Sequence, residues 1–262
     1  MTSSDKFDLN LSLWNEDGQQ PWSKLRYTVI NFNLNRHLPQ RPLNILDAGG
    51  GSGRDAIRLA QQGHSITLLD YSEAMLRGAK QDAEASNVST KIQLQLGKIE
   101  DIPTLFPTPQ FDVIVFNNVI QYVADARDAI QAVCQPLLPG GFLSLTSINR
   151  FSMAYREALL KLDLDSAFNQ LDQHQMYTET FDTITTVYSA EELIPFIQAV
   201  GCEVVGHYGI RCINDYIADN QRKHDPAFYA ELERLEIAMS DHYPYYLLAR
   251  IFQIVAQKPD RG

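Results

Sequence analysis

The stretch Leu43-Asn44-Ile45-Leu46-Asp47-Ala48-Gly49-Gly50-Gly51-Ser52-Gly53-Arg54 decides the fold. Leu43–Asp47 reads as a short buried strand, apolar in its body and closed by an acid. The glycines that follow let the backbone approach a ligand closely and take positive φ. From Arg54 the period changes. Ala56, Ile57, Leu59 and Ala60 share one face of a helix that runs to Gln62, and Gly63 supplies its C-cap. A strand, a glycine turn and a helix open a nucleotide-type α/β unit.

Working outward, Ser65–Leu69 reads as a second strand, ended by Asp70. Ser72 caps a helix over Glu73–Ser86, with Glu73 in its first turn. Lys91–Leu96 and Phe111–Phe116 read as the third and fourth strands. Ala126–Cys134 is helical and stops before Pro136. Pro139-Gly140-Gly141 turns the chain into a fifth strand, Phe142–Thr146. Ser189 caps a helix over Ala190–Val200, ended by Gly201, and the strands Glu203–His207 and Leu247–Ala256 follow. This alternation predicts an α/β fold, a Rossmann-like, doubly wound, mostly parallel seven-stranded sheet.

Two long segments interrupt the alternation, 149–188 and 209–244; in the second, Pro226–Met239 has a helical pattern. Loops that follow strands of an open parallel sheet emerge at its carboxyl edge, where ligands bind. Both segments are therefore expected to be helical cap insertions over a cleft. The predicted division is an N-terminal helical lid (1–42), a core (43–148, 189–208 and 245–262) and two caps (149–188 and 209–244).

Composition narrows the functional classes. The 262 residues include 22 Lys+Arg and 32 Asp+Glu, a formal net charge of −10. Bulk charge therefore does not favour nucleic acid. The acidity is uneven: Phe151–Glu192 nets −6 and Gly209–Pro244 nets −3. Cys134, Cys202 and Cys212 are widely spaced, as expected of free thiols in a reducing cytosol. Met1–Asn10 is polar and resembles neither a signal nor a transit peptide, and runs such as Phe111–Phe116 are too short to span a bilayer. The expected location is cytoplasmic, with no membrane partner. No His/Asp/Glu spacing resembles a ligand set, so no metal is expected.

Three nucleotide readings of the glycine loop compete with a plain turn that binds nothing. A P-loop needs Gly-Lys-Ser/Thr, which is absent. A nicotinamide fingerprint starting at Gly49 and Gly51 puts Arg54 where helix–strand packing wants Gly or Ala. In the third pattern, strand–Asp–x–Gly–x–Gly–x–Gly, Asp47, Gly49, Gly51 and Gly53 all match, and Asp70 lies where ribose hydroxyls need an acceptor.

That pattern resembles the class I S-adenosylmethionine-dependent methyltransferase superfamily, over Leu43 to Thr146 and again at the final strands. The resemblance implies S-adenosyl-L-methionine as cofactor. Its site would include Asp47, Gly49, Gly50, Gly51, Asp70 and Tyr71. Gly97-Lys98-Ile99-Glu100-Asp101-Ile102-Pro103 sits where these enzymes bind adenine, which points to the Ile99 backbone and Glu100; Lys98 stands where they often carry an acid. Asn117, in Phe116-Asn117-Asn118, would lie beside the methyl group. This is not the Asn/Asp-Pro-Pro-aromatic motif of base amino-methyltransferases.

Most of the chain is similar to the tRNA 5-carboxymethoxyuridine methyltransferase family, which esterifies the carboxylate of a modified wobble uridine. Lys24-Leu25-Arg26 lies where that family has an arginine that reaches the cofactor. Gly63-His64, Val123-Ala124-Asp125 and Leu138-Pro139-Gly140-Gly141 match as well. Gly209-Ile210-Arg211 with Asp215-Tyr216, then Pro244-Tyr245 with Arg250, and Lys258-Pro259, appear in the same order. The likeness lapses over the acidic insertion after the fifth strand, where an RNA-binding cap should carry Lys or Arg.

A carboxylate acceptor needs a cation rather than a base. Arg211 is the first candidate, at the point where the cap leaves the sheet. Arg250 is the second, with the alternative that it faces outward on the last strand. An amine or phenol acceptor would need a base, and His207, His174 and His242 are the candidates. Tyr208, Tyr216, Tyr243, Tyr245 and Tyr246, with Trp14 and Trp22, form either a substrate cage or ordinary packing. The expected acceptor is a modified nucleoside of tRNA or, alternatively, a small molecule under an acidic, tyrosine-rich cap. A non-catalytic cofactor-binding protein is the third reading.

Overall fold

The computed structural model describes residues 18–178 and 182–260. Met1–Asn10, Trp14 and Glu179 lie outside them. Its strands are β1 (Asn44–Ala48), β2 (Ser65–Asp70), β3 (Ile92–Leu96), β4 (Phe111–Asn117), β5 (Leu137–Ile148), β6 (Gln175–Thr178), β7 (Thr183–Thr186), β8 (Glu203–Ile210) and β9 (Ile251–Gln257). Seven of them form one sheet in the order β3-β2-β1-β4-β5-β9-β8. β1 to β5 pair in parallel, and β9 runs antiparallel between β5 and β8. The winding reverses between β1 and β4, so the turn after β1 opens at the switch point where such sheets bind ligands.

The main helices are α1 (Pro21–Asn35), α2 (Arg54–Gln61), α3 (Glu73–Ala85), α4 (Ala126–Cys134), α5 (Phe151–Arg156), α6 (Leu164–Asn169), α7 (Ala190–Ala199) and α8 (Pro226–Met239). Their starts follow capping chemistry. Ser72 Oγ accepts from Met75 N at 3.1 Å, and the Asp125 carboxylate accepts from the amides of Arg127 and Asp128. Such caps contribute about 1 kcal/mol each. The central strand β1 is buried from Ile45 to Ala48, as a strand covered on both faces must be. Apolar clusters on the two sides of the sheet are joined by a third, in which Leu25, Val29 and Ile30 of α1 pack with Ile210, Leu232 and Ile251. No helix among the described residues is long and apolar enough to cross a membrane.

Several elements differ from the sequence pattern: β5 starts at Leu137, through the expected Pro139-Gly140-Gly141 turn, and β8 runs on to Ile210. The last strand begins at Ile251, because Tyr245–Leu248 closes into a 3-10 turn. The carbonyls there are taken by side chains instead of a sheet ladder: Asn149 Nδ2 donates to Leu247 O at 2.8 Å and Ala249 O at 3.0 Å, and Tyr216 Oη to Leu248 O at 2.5 Å. The first insertion is only partly helical. After α5 and α6 it folds into the β6–β7 hairpin, which pairs Met176 with Thr185 and Tyr177 with Ile184.

Candidate active site

A cleft of about 720 Å³ opens at the carboxyl edge of the sheet. Twelve of the residues singled out in the sequence line it: Arg26, Asp47, Gly49, Gly50, Gly51, Asp70, Tyr71, Ile99, Glu100, Asn117, Arg211 and Arg250. The two insertions reach it as well, through Arg156 and Thr178 from the first and Arg211 and Asp215 from the second.

One end is built around the glycine loop. Gly49 has φ +76°, and a Cβ there would meet Val119 Cγ2 at 2.7 Å. A Cβ on Gly50 would lie 2.5 Å from Asp47 Oδ2, so this glycine lets the loop close over its own acid. The loop hangs from β2 by Gly49 N and Gly50 N, which both donate to Leu69 O. Asp70 braces it from the side, with Oδ2 accepting from Gly51 N and Oδ1 from Ser72 N, each at 2.9 Å.

Beneath the loop lie two buried acids. Asn117 Nδ2 donates to Asp55 Oδ2 at 3.2 Å. Asp47 Oδ2 and Asp55 Oδ1 are buried without a hydrogen-bond partner among the described residues. Burial, followed by the charges of Asp55 and Asp70, pushes the Asp47 carboxyl well above the ordinary carboxylate range. Burial raises the Asp55 carboxyl too. Orphaned carboxylate oxygens in a cleft call for a cationic group. Arg26, whose charge acts on Asp55, lies over the Tyr27 ring at 4.5 Å and donates to its hydroxyl at 2.6 Å. An acid pair facing a guanidinium fits a zwitterionic amino-acid moiety. The 3-10 turn Ile99–Asp101, pinned by Lys98 N donating to Asp101 Oδ2 at 2.9 Å, forms the opposite wall.

The other end is cationic. Asp215, with its side chain 1% exposed, faces three guanidinium groups. Arg211 grips it with two N–H donors, and Arg156 Nη1 approaches Oδ2 at 3.0 Å. Burial works to raise the Asp215 carboxyl, yet Arg211, Arg250 and Arg156 hold it below its ordinary value. Arg250 is different. Its Nη1 donates to Ser152 Oγ at 3.1 Å, its Nη2 meets only the Met176 sulfur at 3.5 Å, and its Nε lies 3.9 Å from Asp215 Oδ2. Burial, then repulsion from Arg156, lowers its pKa to about 10. Arg250 therefore points inward, not outward, pairing loosely with Asp215 through Nε while its Nη donors face a hydroxyl and a sulfur.

Several candidates fall elsewhere. None of His174, His207 and His242 lines the cleft. His207 packs between Tyr246 and Phe252, and His174 is 3.5 Å from Glu192. Tyr208 holds His37 at 2.6 Å behind the sheet, and Tyr216 is anchored to Leu248. The rings lining the cleft are instead Tyr27, Tyr71 and Tyr122. Sequence reasoning missed Arg156, Asp55 and Asp215 as wall residues. An acid in the first turn of a helix, as Asp55 is, reads as ordinary dipole complementarity. Arg156 was hidden by the net charge of its segment. Asp163, Asp165, Asp172 and Asp182 are exposed, whereas the Arg156 side chain is only 34% exposed and turned toward Asp215.

Comparison with known proteins gives a consistent picture. The profile of the family described as "Methyltransferase domain" matches residues 40–242. The tRNA 5-carboxymethoxyuridine methyltransferase of Escherichia coli (strain K12) is 32% identical over 90% of this chain and 89% of its own length. The ubiquinone biosynthesis O-methyltransferase of Rickettsia akari is 31% identical, over 59% of this chain and 64% of its own. Among solved structures, a chain of the Haloferax volcanii complex between the Trm112 methyltransferase activator and a methyltransferase superposes with a TM-score of 0.67. It is 16% identical and covers 100% of this chain and 99% of its own, a likeness of fold alone.

Proposed function

This chain belongs to the methyltransferase-domain family, and from that premise we propose that it is a carboxyl methyltransferase, converting a carboxylate to its methyl ester. The methyl donor is S-adenosyl-L-methionine, which supplies an electrophilic methyl group on a positively charged sulfur. At the donor end, Asp70 is placed for the ribose hydroxyls, the Ile99 backbone and Glu100 for the adenine, Arg26 for the amino-acid carboxylate, and Asp47 with Asp55 for the ammonium. Asn117 lines the wall between that end and the arginines.

The observation that carries the acceptor class is Arg250, a cleft-lining guanidinium whose two Nη atoms meet a hydroxyl and a thioether while its Nε lies 3.9 Å from Asp215 Oδ2. A buried guanidinium binds a carboxylate through short, charge-assisted hydrogen bonds. A carboxylate is already a nucleophile, so the lack of a cleft-lining histidine is no obstacle. Arg250 with Arg156 orients the acceptor oxygen, and Arg211 is held ready in its ion pair with Asp215. Methylation removes the acceptor's negative charge, which weakens its hold on Arg250 and favours release of the ester.

For the acceptor itself we infer the carboxymethoxy group of a modified uridine in tRNA. The support is the 32% identical relative, which spans nearly the whole chain. The acidic surface of the first insertion favours a second reading, a small carboxylic acid that does not have to bring a phosphate backbone past Asp163, Asp165 and Asp172. Transfer of labelled methyl from S-adenosylmethionine to an anticodon stem-loop RNA bearing 5-carboxymethoxyuridine decides between them, with an unmodified RNA and a metabolite extract alongside. The expected label enters only the modified RNA and is released as methanol by mild alkali. Alkali-stable label would overturn the ester, and label only in the extract would overturn the RNA acceptor.

A further inference from the structure

The second insertion contains a buried acid that touches neither end of the cleft. Glu236 projects from α8 with 0% exposure. Its carboxylate accepts from three successive backbone amides, Cys212 N at 2.6 Å, Ile213 N at 3.0 Å and Asn214 N at 2.7 Å. Three convergent N–H groups form a nest that holds an anion, and here the anion is part of the protein. Burial pushes the Glu236 carboxyl up and the three amides work against that push.

The loop held in this way carries the arginine cluster. Arg211 precedes the nest and sits in the left-handed region at φ +62°, a costly conformation for a side chain of this size. Its carbonyl accepts from Arg250 N at 3.2 Å, so the backbones of the two arginines are tied together. Asp215 follows the nest directly, in the 3-10 turn Asn214–Tyr216, and Asn214 Nδ2 donates to its Oδ1 at 2.8 Å. The residues on both sides of the nest are thus the two members of the Arg211–Asp215 ion pair.

The geometry points to Glu236 as the positioning residue of the acceptor end. Its carboxylate fixes the 212–214 backbone, which holds Arg211 in its left-handed conformation and Asp215 against it, and this sets where the cations face the acceptor. The assignment of that end to an acceptor carboxylate rests on the proposed function; the mechanical link from Glu236 to the ion pair does not.

Glu236→Gln is the discriminating variant. The amide keeps the shape but turns an N–H2 donor toward backbone donors, so the nest loses part of its acceptor set. Leu232→Ala serves as the control. Leu232 lies one turn earlier on α8, 5% exposed in the cluster with Leu25 and Ile210, and does not line the cleft. The first readout needs no acceptor. In protein labelled with 15N-arginine, the Arg211 Nε–H signal is assigned by its loss in Arg211→Lys, and slow exchange is expected of it in the wild type. We expect it to exchange at least tenfold faster in Glu236→Gln and to be unchanged in Leu232→Ala. The second readout is kinetic: Glu236→Gln raises the acceptor KM at least tenfold with S-adenosylmethionine affinity within twofold of wild type, while Leu232→Ala lowers the melting temperature and leaves KM alone. Unchanged Nε–H exchange in folded Glu236→Gln overturns the proposal, as does a variant that loses donor affinity and KM together or behaves like Leu232→Ala. If Glu236→Gln does not fold, Glu236→Asp, which shortens the reach to the nest, takes its place under the same criteria. Wild-type inactivity on the modified RNA would count against the RNA acceptor and leave the exchange result to decide the role of Glu236.

Discussion

The two ends of the cleft are assembled by opposite means. The donor end comes mostly from consecutive strand ends of two linked βαβ units: Asp47 in β1 with the turn to Asp55, Asp70 at the end of β2 with Tyr71, and Ile99 and Glu100 after β3. Neighbouring parallel strands deliver these turns side by side, so local sequence nearly suffices to build it. The acceptor end joins Arg156, Arg211, Asp215 and Arg250, which span almost a hundred residues and meet only because β8 and β9 pair and both insertions fold back over the sheet edge. The electrostatics are opposite as well. Buried acids with oxygens that lack a hydrogen-bond partner among the described residues line the first end, and three guanidinium groups gathered on Asp215 line the second. Under the proposed function, a cationic donor matches the first end and an anionic acceptor the second, so charge would sort the two substrates before shape does.

That contrast breaks most sharply at Arg250. Arg250→Met keeps much of the side-chain bulk and removes every donor. Losing a bidentate charge-assisted contact, at roughly 1.5–3 kcal/mol per bond, should lower kcat/KM for the acceptor about a thousandfold. Donor affinity, read by calorimetry, should stay within about twofold. A matching loss of donor affinity would show that the two ends are not separable.

Asp70→Ala tests the converse. It removes the brace under Gly51 and Ser72 and the acceptor for the ribose hydroxyls, so the donor Kd should rise about a hundredfold. Acceptor KM at saturating donor should be unchanged; a rise in that KM would count against a purely local role.

The smallest effect is protonic. Burial first, then Asp55 and Asp70, holds the Asp47 carboxyl well above its usual range, and a bound cation favours the carboxylate. Donor binding should therefore release up to about one proton at pH values between the ordinary carboxylate range and the raised value. Affinity should increase with pH through that window, at most about tenfold per unit, and level off above it. Calorimetry in buffers of different ionisation enthalpy counts the proton. No release in that window would separate Asp47 from the cationic part of the donor.

The legibility of the molecule follows the same division. The Rossmann-like order, the glycine loop and its acids, and helix starts such as Ser72 and Ser189 were readable because each depends on residues within a few positions of one another. The start of the last strand was not, because Asn149 and Tyr216 take the carbonyls of residues 247–249 from distant places in the chain. The tyrosines of the cap could be listed but not placed: a cage and a packed core have the same composition, and the rings in the cleft proved to be Tyr27, Tyr71 and Tyr122. Segment charge was similarly blind to direction. The first insertion nets −6 with its neighbours to Glu192, yet it contributes Arg156 to the cationic wall.

By itself, then, the sequence determined the sheet, the donor loop and the net acidity, since periodicity, glycine spacing and charge counts are properties of local or summed composition. Only the tertiary structure decided which charges look inward. It gathered Arg156, Arg211 and Arg250 around Asp215 and turned the Nη donors of Arg250 to a hydroxyl and a sulfur. The physical reason is that a cation's role depends on the anions within a few ångströms of it once water is excluded, and chain folding, not chain order, chooses those neighbours.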